Sequence, residues 1–162
     1  MPHTTRETDQ RYLREAIELA AENARLGRGG PFAALVVHAG RVIARCTNRV
    51  TALNDPTAHA EVEAIREACR QLGDYQLPGC TLYASCEPCP MCLGAIYWAR
   101  PVRVVFAATR HEAAAAGFDD AFIYRELTLP PVDRSIPFEP VDLPEAGLPF
   151  DRWREAEGRI DY

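Results

Sequence analysis

The sequence predicts an α/β protein, a three-layer α/β/α sandwich around a mixed sheet of about five strands. Two observations carry this. The spacing of apolar residues alternates between helical and strand periods in the order αββαβαβ, which demands helices on both faces of a sheet. Glycines and prolines mark nearly every change of period. At 162 residues the chain suits one domain with a full core and is short for two.

The elements follow in order. Asp9 to Leu26 places Leu13, Ile17, Ala20 and Ala24 near a helical period, and Gly27 stops it. Arg28-Gly29-Gly30-Pro31 reads as a loop. Phe32 to His38 and Arg41 to Cys46 read as strands joined by a short turn at Ala39-Gly40. Asn54-Asp55-Pro56-Thr57 is a helix-start signal, with polar caps and a proline tolerated in the first turn. The helix is expected from about Ala58 to Leu72, ending at Gly73. Pro78-Gly79 is a turn, Cys80 to Ser85 a third strand, and Pro88 opens a helix through Trp98 that closes before Pro101. Val102 to Ala107 is a fourth strand. Further on, Ala113 to Ala116 and Asp119 to Leu127 read as helical, Ile136 to Val141 as a fifth strand and Asp151 to Glu157 as a last helix. Prolines through this C-terminal third suggest a wrapping segment.

Composition excludes several classes of function. Apolar residues make up 48% and charged residues 25%, an ordinary globular mix, and the net charge is −5. Polyanion binding draws on basic patches, and no arginine run supplies one, so a nucleic-acid partner is not expected. No apolar run reaches the length of a membrane span, and the first residues lack the apolar core of an export signal. The expected location is therefore cytoplasmic. Six cysteines in that setting read as reduced thiols or metal ligands. All 18 basic residues are arginine, which excludes Schiff-base chemistry and a phosphate-loop lysine.

The chemistry concentrates in His59-Ala60-Glu61 and Pro88-Cys89-Pro90-Met91-Cys92. Together they fit H-x-E…P-C-x-x-C, the signature of zinc-dependent nucleobase deaminases. One imidazole and two thiolates supply three of the four tetrahedral positions of a zinc ion, leaving one for water. Glu61 is then a carboxylate beside the metal, placed for proton transfer. Both halves fall at predicted helix starts, where unpaired N–H groups and the helix dipole favour thiolate.

Competing readings are weaker. Cys86-x-x-Cys89-x-x-Cys92 begins like an iron–sulfur run, but the fourth position is Ile96. A redox dithiol leaves His59 and Glu61 unexplained. A structural zinc with Cys86 as fourth ligand is possible in composition, but Cys86 precedes the helix that aims Cys89 and Cys92. Cys46, Cys69 and Cys80 read as small buried apolar residues. His3, His38 and His111 lack partners at useful spacing, so they read as structural or solvated.

At these residues the chain resembles the cytidine deaminase superfamily and, within it, the short bacterial-type zinc guanine deaminases. The matching blocks are Asn54 to Glu61, Ser85 to Arg100, Gly117 to Tyr124, Ile136-Pro137-Phe138 and the terminal Tyr162. The resemblance implies one zinc per chain held by His59, Cys89 and Cys92, with Glu61 moving protons. It implies base contacts from Asn48, Phe32, Ala60, Trp98, Asp120 and Tyr162. It also implies one zinc deaminase domain over residues 1–162, whose segment from about 117 to 162 caps the active site. The implied reaction is hydrolysis of guanine to xanthine and ammonia. The implied partners are a small purine base and a second copy in a homodimer, with C-terminal segments that can be exchanged. Ala33 departs from the family, which often has glycine after Pro-Phe. Other readings stand beside these: Phe32 and Trp98 as core, Asp120 as a helix surface charge and Tyr162 as a frayed end. The substrate alternatives are a nucleoside, guanosine or cytidine, or a related amino-substituted ring. A further alternative is a zinc-stabilised, non-catalytic binding module.

Overall fold

The computed structural model describes residues 5–162 and resolves them into two compact units, one up to Asp120 and one from Ala121 to Tyr162. His3 lies outside the described residues.

In the first unit α1 (Thr5–Arg25) buries Tyr12, Ala16, Ala20 and Asn23, residues spaced to fall on one helical face. Strands β1 (Ala33–His38) and β2 (Arg41–Thr47) form an antiparallel hairpin. Its two-residue turn has φ of 48° at Ala39 and 76° at Gly40, the left-handed pair a type I′ turn requires. A short helix α2 (Val50–Leu53) precedes α3 (Ala60–Leu72), which Gly73 closes in the left-handed conformation. Then come β3 (Cys80–Cys86), α4 (Pro90–Ala99), β4 (Arg103–Ala108) and α5 (Arg110–Ala115). The capping box of Thr109 and Glu112 starts the last of these.

The sheet order is β2-β1-β3-β4, with β1 antiparallel to both neighbours and β3 parallel to β4 across α4. Alternation along β1 divides the core. Ala34 and Val36 pack with Ala60, Ala64 and Ala68 of α3 and Ile96 of α4. Leu35 and Val37 pack on the other face with Tyr12 and Ala16 of α1. The expected three-layer sandwich is thus present. α1 is also tied by polar contacts: Tyr12 donates to the Gly40 carbonyl (2.9 Å) and Asp9 accepts from Tyr83 (2.7 Å) and pairs with Arg103 (2.5 Å).

Several bounds shift: α1 starts at Thr5 rather than Asp9, α4 at Pro90 rather than Pro88, and α5 spans Arg110–Ala115 rather than Ala113 to Ala116. The last helix spans Leu148–Glu155 rather than Asp151 to Glu157, and α2 has no counterpart among the expected elements. Two further expectations need a physical correction. The helix expected from about Ala58 begins at Ala60, because Asp55 turns inward on the chain, accepting from the Thr57 amide (2.8 Å) and hydroxyl (2.7 Å). That turn consumes the helix-start signal before the helix begins. The fifth strand expected over Ile136 to Val141 is not formed, and among the described residues the sheet has four strands. Pro137 and Pro140 remove two ladder donors from that six-residue stretch.

The second unit contains α6 (Ala121–Thr128), a 3₁₀ turn over Pro131–Asp133 and α7 (Leu148–Glu155). Glu126 accepts from the Ser135 amide (2.8 Å), and Arg134 lies over the Phe138 ring at 5.0 Å. Past α7, Gly158 turns with φ of 74°, Arg159 donates to the Arg154 carbonyl (2.6 Å), and the Trp153 and Tyr162 rings meet edge to face at 6.5 Å. Among the described residues no helix is long and apolar enough to cross a membrane.

Candidate active site

Two helix N-termini and the end of β3 build the site. His59 is the N-cap of α3 and Cys89 the N-cap of α4, both in extended backbone conformation. Pro90 takes the first position of α4, where its missing N–H costs nothing. Cys92 then falls in the first turn of α4, and its amide donates to Cys89 Sγ at 3.5 Å.

The three side chains converge as the spacing predicts. His59 Nδ1 lies 3.5 Å from Cys89 Sγ and 3.5 Å from Cys92 Sγ, and the three ligand atoms lie within 4.8 Å of one another. Bonds of about 2.3 Å to sulfur and about 2.0–2.1 Å to nitrogen at tetrahedral angles separate S and N by about 3.5 Å. The donor set therefore fits zinc in both chemistry and spacing. Cys86 stands apart, donating from a buried thiol to the Thr109 carbonyl at 3.7 Å, and burial pushes its pKa up to about 11. It is not one of the three clustered ligand atoms.

The electrostatics agree with a cation site. The hydrogen bond between the two thiols pulls Cys89 well below the ordinary cysteine range and pushes Cys92 far above it, burial adding to the latter. Two sulfurs this close, one half-buried and one buried, share one negative charge unless a cation balances the second. The bond to Cys89 also raises the His59 imidazole.

Glu61, at the second position of α3, is buried, with Oε2 3.5 Å from Cys92 Sγ. Burial raises its pKa, partly opposed by its own backbone N–H. Ala60, at the first position, is fully buried, and its amide belongs to the helix turn whose N–H groups have no intrahelical acceptor.

The expected base contacts occupy varied settings. Asn48 is buried, and its Oδ1 accepts from the amides of Gly30 and Val50, each at 3.2 Å. Phe32 meets Phe118 edge to face with ring centres 5.0 Å apart. Both rings line a cleft of about 380 Å³ that Ser85, Cys86 and Ile17 also border. His59, Glu61, Asn48 and Cys89 are not among the residues that line that cleft. Asp120 is partly buried. Burial raises its pKa, and the charge at Cys89 acts in the same direction. Trp98, in the last turn of α4, is 63% exposed. Tyr162 belongs to the second unit, against Trp153.

Two supporting residues escape a reading of the sequence alone. Ser85 is buried at the end of β3 and accepts from the Ala33 amide at 3.1 Å, fixing the start of β1 beside Phe32. Asn23 of α1 donates to the carbonyls of Gly30 and Asn48. Asn23 belongs to no local motif, and although Ser85 opens one of the matching blocks, the contact of each is made with a partner elsewhere in the chain.

Comparison with known proteins agrees with this geometry. Over 151 residues the chain is 56% identical to the guanine deaminase of Bacillus subtilis (strain 168), covering 93% of this chain and 97% of that protein. The crystal structure of guanine deaminase from Bacillus subtilis superposes with a TM-score of 0.93 at 55% identity, covering 94% of this chain and 98% of that one. The tRNA-specific adenosine deaminase of Haemophilus influenzae is 40% identical over 70% of this chain and 69% of its own length. Residues 6–108, which hold all three ligands and Glu61, match the model of the cytidine and deoxycytidylate deaminase zinc-binding region. With that match and the ligand geometry in hand, the chain belongs to the zinc-binding cytidine and deoxycytidylate deaminase family.

Proposed function

We propose that this chain is a zinc-dependent guanine deaminase, hydrolysing guanine to xanthine and ammonia. The observation that carries the reading is the 56% identity to the Bacillus subtilis guanine deaminase along 93% of the chain. That span includes most of the C-terminal third, beyond the metal motif common to deaminases of many bases.

His59, Cys89 and Cys92 would hold the zinc. When bound, the metal lowers the pKa of a coordinated water from 15.7 to about 7. Glu61 takes a proton from the attacking water and passes one to a ring nitrogen, which readies the carbon bearing the amino group for attack. The same carboxylate then takes the remaining proton of the added hydroxyl and delivers it to the amine as the C–N bond breaks and the carbonyl forms, so ammonia leaves. The burial of Glu61 suits this shuttle because its contacts hold it beside the sulfur of Cys92. Asn48 hydrogen-bonds the base, the Ala60 amide offers a donor, and Phe32 and Trp98 supply apolar walls. Asp120 accepts from the donor edge of the purine. Residues of the segment 117–162, Tyr162 among them, close over the base and exclude water.

The enzyme acts in the cytoplasm in purine breakdown, as a homodimer that can exchange C-terminal segments. A deaminase of an RNA adenosine is the reading favoured by the Haemophilus influenzae relative. The net charge of −5 and the lack of a basic run count against it. Ammonia release from guanine, guanosine, cytosine, cytidine, adenine and a transfer RNA separates the possibilities. Guanine should be the preferred substrate by a wide margin. Turnover of guanosine with guanine hardly touched would replace this reading with a nucleoside deaminase, and no ammonia from any of them would favour a binding module.

A further inference from the structure

Asn23 lies near the C-terminal end of α1 and is only 4% exposed. Its Nδ2 donates to the Gly30 carbonyl at 2.9 Å and to the Asn48 carbonyl at 3.0 Å. One buried amide thus holds together the loop before β1 and the residue after β2.

The fit around Asn48 is close on every side. A Cβ at Gly29 would lie 2.1 Å from the Asn48 carbonyl oxygen, and one at Gly30 would lie 3.3 Å from Asn48 Cγ. Asn48 N donates to the Phe32 carbonyl at 2.9 Å, and Asn48 Oδ1 takes the Gly30 and Val50 amides. Turning the side-chain amide over would set Nδ2 against two N–H donors and lose both bonds. Its polarity is therefore locked. Nδ2 is the part of the side chain left to meet a ligand.

We propose that Asn23 is a positioning residue that, through the main chain of Gly30 and Asn48, presents the Asn48 N–H₂ as a fixed donor, so that the site selects a base offering a hydrogen-bond acceptor there. This rests on Asn48 being a base contact of the guanine deaminase. Neither Asn23 nor the glycines touch the reacting atoms; they act on specificity through Asn48.

The experiment compares guanine kinetics and zinc content for Asn23→Ala, Gly29→Ala, Asn48→Ala and Asn48→Asp, and for Asn23→Ala and Gly29→Ala combined with Asn48→Ala. Asn23→Ala should lower kcat/KM about tenfold or more with zinc per chain unchanged, since small misplacements of binding groups are costly. In the Asn48→Ala background the same change should have less than about a twofold further effect, because its route of action is gone. Gly29→Ala displaces Asn48 from the opposite side and should behave alike, which keeps the test decisive if Asn23→Ala does not fold. Asn48→Asp keeps the oxygen that serves Gly30 and Val50 but replaces the donor, and should fall below Asn48→Ala. Losses that multiply undiminished in the Asn48→Ala background would overturn the positioning role. Asn48→Asp at or above Asn48→Ala would overturn the donor assignment. A wild-type rate in Asn48→Ala would instead remove the base-contact reading itself.

Discussion

Glu61 sits where a carboxylate is costly to bury and useful once buried, one residue inside a helix start and beside the cysteine ligands. Replacing it with glutamine keeps the volume and the helix but ends proton transfer. Glu61→Gln should retain zinc and lose at least about 10²-fold in turnover, checked by ammonia release and metal analysis on one preparation. Cys89→Ala and Cys92→Ala should lose most of the zinc, while Cys86→Ala, whose thiol bonds to Thr109, should keep most of it. A Cys89→Ala protein with full zinc would sink the ligand set. The ligands were legible in the sequence because each half of the motif is short and sits at a helix start, so local spacing already implies local geometry. Asn23 was not legible: its acceptors lie 7 and 25 residues away, and nothing about an asparagine in a helix announces them.

Between β1 and β2, Ala39 adopts a left-handed conformation that its Cβ resists. Ala39→Gly relieves that strain and should stabilise the protein by about 0.5–1 kcal/mol, read as a raised Tm. A lowered Tm would mean that the turn tolerates alanine without strain. The docking of α1 has a pH signature. The hydrogen bond from Arg103 to Asp9, with help from Tyr83, holds the Asp9 carboxyl below the usual range. A lowered folded pKa gives stability that is present above the unfolded value near 3.8 and lost as pH falls through the folded one. Asp9→Asn should therefore cost about 1 kcal/mol at neutral pH, the pair being partly exposed, and the gap from wild type should close in acid. A gap that persists unchanged at pH 2–3 would assign the effect to packing instead. The four strands and the longer helices α1, α3 and α4 were legible because periodicity agrees with a glycine or proline stop in most of them, whereas the four-residue α2 is too short to show a period and is not expected from the sequence. Where a stretch depends on its neighbours, as Ile136 to Val141 would have, apolar content misled, since the prolines there decide against a ladder.

At the scale of the whole molecule the proposed cap separates binding from metal retention. Deleting the last few residues through Tyr162 should raise KM for guanine, lower kcat, or both, with zinc content unchanged. Asp120→Ala should weaken guanine turnover by leaving a donor of the base unpaired, a cost of about 1–3 kcal/mol. Full activity after the deletion would remove the C-terminal segment from the site. The metal centre has a further consequence for how the chain holds together. His59 and Cys89 are 30 residues apart and each caps a different helix. An ion bound between them acts as a cross-link, closing a loop that contains all of β3 and restricting the unfolded chain as a disulfide would. Stripping it with a chelator should loosen the molecule unevenly: amide hydrogen exchange should quicken first in the opening turns of α3 and α4, while β1, hydrogen-bonded on both edges, stays protected.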